Sequence, residues 1–216
     1  METASNLQRG KVLHIQTGKV RTHLDETNTP WETAIYKDPV TTPIAITARG
    51  LDGDERTGYD VDRALCCQSI DNYRYWRSYF RRDFPIGTFG ENIVLESYTD
   101  DSVYIGDIVR VGTALLQITQ SRTPCYKQAK KIGVPQFVKL IEQTQRRGFL
   151  LRVLEPGTFM VGDTFETIER PRPDAPLLYV NHTFFGKPDR ETLQWLADLE
   201  PLAHDWHDEA LERLAK

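Results

Sequence analysis

Between Val12 and Ile168 the apolar and β-branched residues come in short runs, each closed by glycine, proline or an aspartate-rich turn. That spacing leaves little room for long helices and predicts a sheet protein. Runs over 12–15, 42–47, 64–68 and 93–95 read as strands, as do 149–154 and 164–168. Residues 107–111 and 114–119, joined at Gly112-Thr113, read as a hairpin. Two segments keep helical spacing. Ile70, Tyr73, Trp76 and Phe80 follow Ser69 as a candidate N-cap, and Phe137, Leu140 and Ile141 lie in a stretch from Pro135 to Arg147 that Gly148 would stop. Many short strands with few helices favour a closed or nearly closed barrel, because closure leaves no sheet edge exposed.

The pattern breaks at Glu169–Pro176, where Pro171, Pro173 and Pro176 mark a linker. Beyond it, 177–185, 189–199 and 201–214 carry apolar residues at three- and four-residue intervals. The expected organisation is a β-barrel domain over 1–170, a linker over 171–176 and a three-helix extension over 177–216, an α+β chain rich in β structure. The amphipathic extension suits dimerisation or partner docking, so a homodimer is among the expectations.

Composition narrows the class. The chain has 216 residues, 39% of them hydrophobic, with 27 basic against 31 acidic side chains and a net charge of −4. That balance argues against a general nucleic-acid binder. No apolar run is long enough for a membrane span, and the first ten residues lack the apolar core of a secretory signal. Three cysteines, two of them adjacent, do not form a disulfide framework and fit a reducing cytoplasm.

Cys125 stands out chemically. It follows a strand and Pro124, with Arg122, Lys127, Lys130 and Lys131 close in sequence to favour its thiolate. A thiolate serves a soft metal or acts as a nucleophile. The residues alone leave that reading open beside a buried structural cysteine. Cys66-Cys67 would point to opposite faces of a strand and read as core. His204 and His207 share a helical face and read as solvated. The loop from Gly87 to Asn92 offers glycine amides and the Asn92 side chain to an anion. There is no Walker loop, no dinucleotide fingerprint and no Gly-x-Ser-x-Gly elbow.

Taken in order, these segments resemble the MOSC family, the domain related to the C-terminus of molybdenum-cofactor sulfurases, and especially its small YiiM-like branch. Gly50-Leu51-Asp52-Gly53-Asp54 resembles an early turn of that family, and Asp62-Arg63-Ala64 its Asp-basic-Ala step. Gly87-Thr88-Phe89-Gly90-Glu91-Asn92 matches the hallmark loop, and Gln120-x-Arg122-x-Pro124-Cys125 the cysteine motif. Ile105-Gly106-Asp107, Arg110-Val111-Gly112 and the segment from Gly148 to Gly157 follow in place. One step departs: Gly58-Tyr59-Asp60 stands where members usually carry His-Gly-Gly.

The resemblance implies a barrel fold and a molybdenum cofactor of the molybdopterin type, with Cys125 as the thiolate on molybdenum. It further implies cofactor contacts from Arg122, Phe89, Gly90 and Asn92, with Lys127 and Arg152 in support. The expected activity is reduction of N-hydroxylated small molecules, hydroxylaminopurines among them, with electrons from a separate transfer protein or reductase. Asp60 or Tyr59 would supply a proton. The competing expectations are a sulfur or cofactor carrier that uses Cys125 as a persulfide or anchor, and a cofactor-binding module with altered catalysis.

Overall fold

A computed structural model describes residues 7–24, 27–55 and 60–216. In chain order its strands are β1 (Arg9–Thr17), β2 (Arg21–Leu24), β3 (Pro30–Thr33), β4 (Asp38–Val40), β5 (Ile44–Thr47), β6 (Gly50–Leu51) and β7 (Leu65–Ser69). After helix α1 (Ile70–Phe80) come β8 (Ile93–Leu95), β9 (Ile108–Val111) and β10 (Ala114–Ser121). Helices α2 (Tyr126–Ile132) and α3 (Phe137–Thr144) precede β11 (Phe149–Glu155), β12 (Gly157–Phe159) and β13 (Thr164–Glu169). Three helices finish the chain: α4 (Leu177–Phe185), α5 (Arg190–Ala197) and α6 (His204–Leu214).

Seven strands close on themselves in the order β1, β13, β9, β10, β11, β7, β8 and back to β1. The expected barrel is therefore present, and the closure is made by β1, which pairs with β13 over Arg9–Lys11 and with β8 over Val12–Ile15. Every pairing around the ring is antiparallel except β7 with β8. Parallel neighbours need a crossover, and α1 with the glycine loop supplies it. Ser69 caps α1 as its spacing predicted, its Oγ accepting from Asp71 N–H at 3.1 Å.

Two apolar regions hold these layers. The barrel interior, with Ile93, Val109, Leu116 and Phe165, is continuous with the buried faces of α4, α5 and α6. On the outside, α1, α2 and α3 bury an aromatic group in which Phe89 stacks on Phe137 at 5.8 Å. Residues 171–176, expected as a linker, are pinned to the barrel: Ile105 N–H donates to the Ala175 carbonyl and Leu177 N–H to that of Val103. The extension therefore shares the barrel's core.

Three local expectations are corrected. The helix expected up to Arg147 stops at Gln145, which is left-handed (φ 56°) and closes on the Ile141 carbonyl. Gly148 serves elsewhere, with φ 75° and its N–H on the buried carboxylate of Asp100. Helix α2 directly behind Cys125, and the β2–β3 hairpin, had no counterpart among the expected elements.

Candidate functional site

Cys125 is the N-cap residue of α2, extended at φ −127° and ψ 157°, and half-buried. Gln128, one turn on, holds it from both sides. Its Oε1 accepts from Cys125 N–H at 3.2 Å, and its own N–H donates to the Cys125 carbonyl at 3.0 Å. Gln128 Nε2 then donates to the Phe89 carbonyl at 3.2 Å. One buried amide thus ties the cysteine turn to the glycine loop, and nothing in the sequence motif singled it out.

The thiol lies on a cleft of about 290 Å³ lined also by Cys66, Gly90, Asn92, Arg122, Lys127 and Arg63. Thr33, Ala34, Ile35, Lys37, Glu55 and Gln120 complete much of the wall. The two motifs meet here because β7 and β8 are adjacent, with Asn92 N–H donating to the Cys66 carbonyl at 2.8 Å and Cys66 N–H to Asn92 Oδ1 at 3.1 Å. Cys66 is buried, as expected, but also lines the cleft, while Cys67 is fully sealed in the core, where burial pushes its thiol well up from the ordinary range. Adjacent strand residues face opposite sides, and the barrel decides which side is the cleft.

The charges are unequally satisfied. Lys37 is paired with Asp54, which also accepts from Asn92 Nδ2 at 2.8 Å. Arg63 pairs with Asp60 at 3.0 Å and with Asp205 of α6. Lys127 Nζ donates to the Glu32 carbonyl at 3.3 Å. Arg122 Nη1 differs, being buried with no hydrogen-bond partner among the described residues. Leaving such a donor unmade costs free energy comparable to a lost charged hydrogen bond, so the cleft is built for an acceptor, ideally an anion.

The other expected residues are placed as follows. The Phe89 side chain is buried in the outer aromatic group, away from the cleft wall. The loop amides are largely spent within the protein: Gly87 N–H on Tyr73 Oη and Glu91 Oε1, Thr88 N–H on the Pro85 carbonyl and Gly90 N–H on that of Gly87. Asp60 caps a single 3-10 turn, Val61–Arg63, accepting from Asp62 N–H at 2.9 Å. Tyr59 lies outside the described residues. Arg152 is withdrawn from the cleft into an ion pair with Asp62 at 3.1 Å, and donates to the carbonyls of Pro201 and Leu202.

That last contact belongs to a joint between extension and barrel. Asp62, 2% exposed, takes both the backbone N–H (2.8 Å) and the ring Nδ1 (2.6 Å) of His204 on one oxygen. Burial raises its carboxyl, but the His204 donors and Arg152 outweigh that, and the net shift is downward. His204 is largely exposed, as expected, and its ring also bonds Asp62. Gln120 on the cleft wall adjoins the same joint, its side-chain amide 3.3 Å from Trp206 Nε1 and 3.2 Å from Asp205 Oδ1.

Two predictions arise here. Gly90 has φ 74°, and a Cβ there would lie 2.4 Å from Ile35 Cγ1. Gly90→Ala is expected to cost about 1–3 kcal/mol, read as a lower urea midpoint; an unchanged midpoint would show that the loop relaxes freely. Lys131 donates to the carbonyls of Ile35 and Gly87, and burial lowers its ammonium from 10.5 to about 8 against the raising pull of Glu91. The fold thus disfavours a proton that the unfolded chain retains, so this group makes stability rise as pH climbs from about 8. Urea midpoints of Lys131→Met measured between pH 7 and 9 should lack that rise; a variant as pH-dependent as the parent would refute the assignment.

Comparisons with known proteins agree with this arrangement. A family model described as "MOSC domain" matches residues 54–166. The Escherichia coli (strain K12) protein YiiM is 33% identical over 163 residues, 72% of this chain and 71% of that protein. The uncharacterized protein YflK of Bacillus subtilis (strain 168) is 32% identical over 178 residues, 81% of this chain and 80% of that one. A Gibberella moniliformis protein named "Reductase" is 30% identical across 99% of this chain, which spans only 39% of that longer protein. The crystal structure of YiiM from Geobacillus stearothermophilus superposes with a TM-score of 0.80 at 31% identity, covering 95% of this chain and 99% of that one.

Proposed function

The chain belongs to the MOSC domain family, and we propose that it is a molybdenum-cofactor enzyme that reduces N-hydroxylated small molecules. The observation that carries this reading is the pairing of the Cys125 thiol with the unpartnered Arg122 Nη1 in one cleft. A soft sulfur ligand and a buried anion receptor are the two groups that a phosphate-bearing metal dithiolene cofactor needs. Cys125 would hold the metal and Arg122 the phosphate, with Lys127 adding positive charge. The bound cofactor would supply two-electron oxygen-atom chemistry.

The protein's own groups then have limited tasks. Reduction of a hydroxylamino group to an amine consumes two electrons and two protons and releases water. Asp60 would carry a proton, and Arg63 of the cleft wall, 3.0 Å from its carboxylate, would keep it oriented. Gln128 fixes the cysteine turn so that its sulfur presents one direction. With no electron-carrying motif in the sequence, the electrons would come from a separate transfer protein or reductase. The name of the Gibberella relative supports the redox class.

Protein produced in a cofactor-competent host should contain molybdenum and pterin in equal amounts and turn over an N-hydroxylated purine with an artificial electron donor. Cys125→Ala should lose both the metal and the turnover. Parent protein that carries no molybdenum would overturn the proposal. A second reading, a persulfide or cofactor carrier, is favoured by one observation, a second cysteine, the buried Cys66, among the residues lining the cleft. Sulfur transfer to an acceptor thiol without hydroxylamine turnover would select it.

A further inference from the structure

Three consecutive residues at the start of α6 each meet a different residue of the barrel. His204 bonds Asp62, Asp205 forms an ion pair with Arg63, and Trp206 Nε1 lies 3.3 Å from the Gln120 amide. Arg63 and Gln120 both line the cleft. The start of α6 is fixed behind that wall: Trp206 is buried and stacks on Phe184 at 3.9 Å, and Asp62 holds the His204 N–H at 2.8 Å. The extension thus reaches the cleft through two side chains that the barrel supplies.

Arg63 is shared between two carboxylates. Its Nε lies 3.0 Å from Asp60 Oδ2, and its Nη2 meets Asp205 Oδ2. One guanidinium between two carboxylates is a group of net negative charge, so an anion entering the cleft gains little from it. Arg122 on the same wall stands in contrast, with a buried Nη1 that has no partner among the described residues. Asp205 itself is exposed, and an ion pair at such a position is weak enough for a bound anion to compete with it.

We propose that Asp205 is a positioning residue for the cleft: it holds the Arg63 guanidinium on the α6 side, withdraws that charge from a bound anion and leaves Arg122 as the receptor. The barrel builds the cleft, and the extension sets how strongly it attracts anions. A cleft with both guanidiniums free would gather multivalent anions by charge alone; the tie to α6 curbs that. The inference deepens the reductase reading, in which the anion is the cofactor's phosphate, but it requires no metal.

Calorimetric titration of the metal-free, full-length protein with pyrophosphate tests it. Asp205→Asn keeps the shape of an exposed side chain and removes its charge. It should bind pyrophosphate roughly fivefold more tightly than the parent, the scale of releasing one partly exposed guanidinium from an ion pair, and Asp205→Ser should show the same gain. In an Arg63→Met background, Asp205→Asn should change the affinity less than about twofold, because the carboxylate acts through the guanidinium. A merely structural tie would lower the urea midpoint of Asp205→Asn without tightening binding. Unchanged or weaker binding in the Asp205 variants, an equal gain in both backgrounds, or a parent that binds no pyrophosphate overturns the proposal. The expected pattern in protein that never takes up molybdenum leaves this inference standing while the reductase reading falls. A molybdenum-loaded, active enzyme whose Asp205 variants bind pyrophosphate as the parent does sinks this inference alone.

Discussion

Asp62→Ala is expected to cost the fold about 3–5 kcal/mol, the range for removing one member of a buried ion pair. The carboxylate is 2% exposed, takes two contacts from His204 on one oxygen and forms an ion pair with Arg152 at the other. Without it, the Arg152 guanidinium keeps its buried position with only the Pro201 and Leu202 carbonyls to meet. The His204 N–H at the start of α6 also loses its acceptor, and the extension loses a tie to the barrel. Urea unfolding followed by far-ultraviolet circular dichroism measures the loss as a lower midpoint. A change below about 1 kcal/mol, the scale of an exposed pair, would mean that the joint is not structural. The pH dependence has a defined sign. Because the folded-state carboxyl is lowered from 3.8, the stabilisation is in place above that value and is lost as acid protonates the folded form. The parent should therefore lose stability below about pH 4 more steeply than Asp62→Ala does.

Arg122→Met should move stability and binding in opposite directions. The buried Nη1 has no partner among the described residues, and an unmade buried donor costs about 1–3 kcal/mol. Methionine fills similar space without that donor, so the metal-free protein should gain about 1 kcal/mol, within the same estimate. The anion receptor disappears with it. Calorimetric titration with pyrophosphate should show at least a tenfold loss of affinity, the order expected for one charge-assisted contact. Lower stability together with retained anion binding would show that the guanidinium is satisfied within the protein and that the cleft takes no anion through it. A site that spends stability to hold an unpaired charge is a familiar signature of function.

The β-runs, the Ser69 cap and the Gly112-Thr113 hairpin were legible in the sequence because they rest on local rules: alternation, capping and turn conformation. The site motifs were legible too, as a glycine loop and a cysteine turn in order along the chain. What each residue does within them was less so. Phe89 and Asn92 belong to the hallmark loop, yet the first is packed among aromatic rings and the second holds the Cys66 backbone and Asp54. Arg152 sits in a matching segment but is neutralised by Asp62. Gln128 and Cys66 carried no site signal of their own, since their importance comes from partners 39 and 26 residues away, and Arg63 was legible only as the basic member of a motif, not as a partner of Asp205, 142 residues away.

By itself, then, the sequence determined the strand content, the order of the motifs and the identity of the thiol, all consequences of short-range preference and residue chemistry. Only the tertiary structure decided where β1 closes the barrel, that the extension continues the barrel's core, and which side of β7 opens onto the cleft. Those outcomes depend on contacts between residues far apart in the chain, whose loop-closure cost and burial gain are fixed by the whole fold.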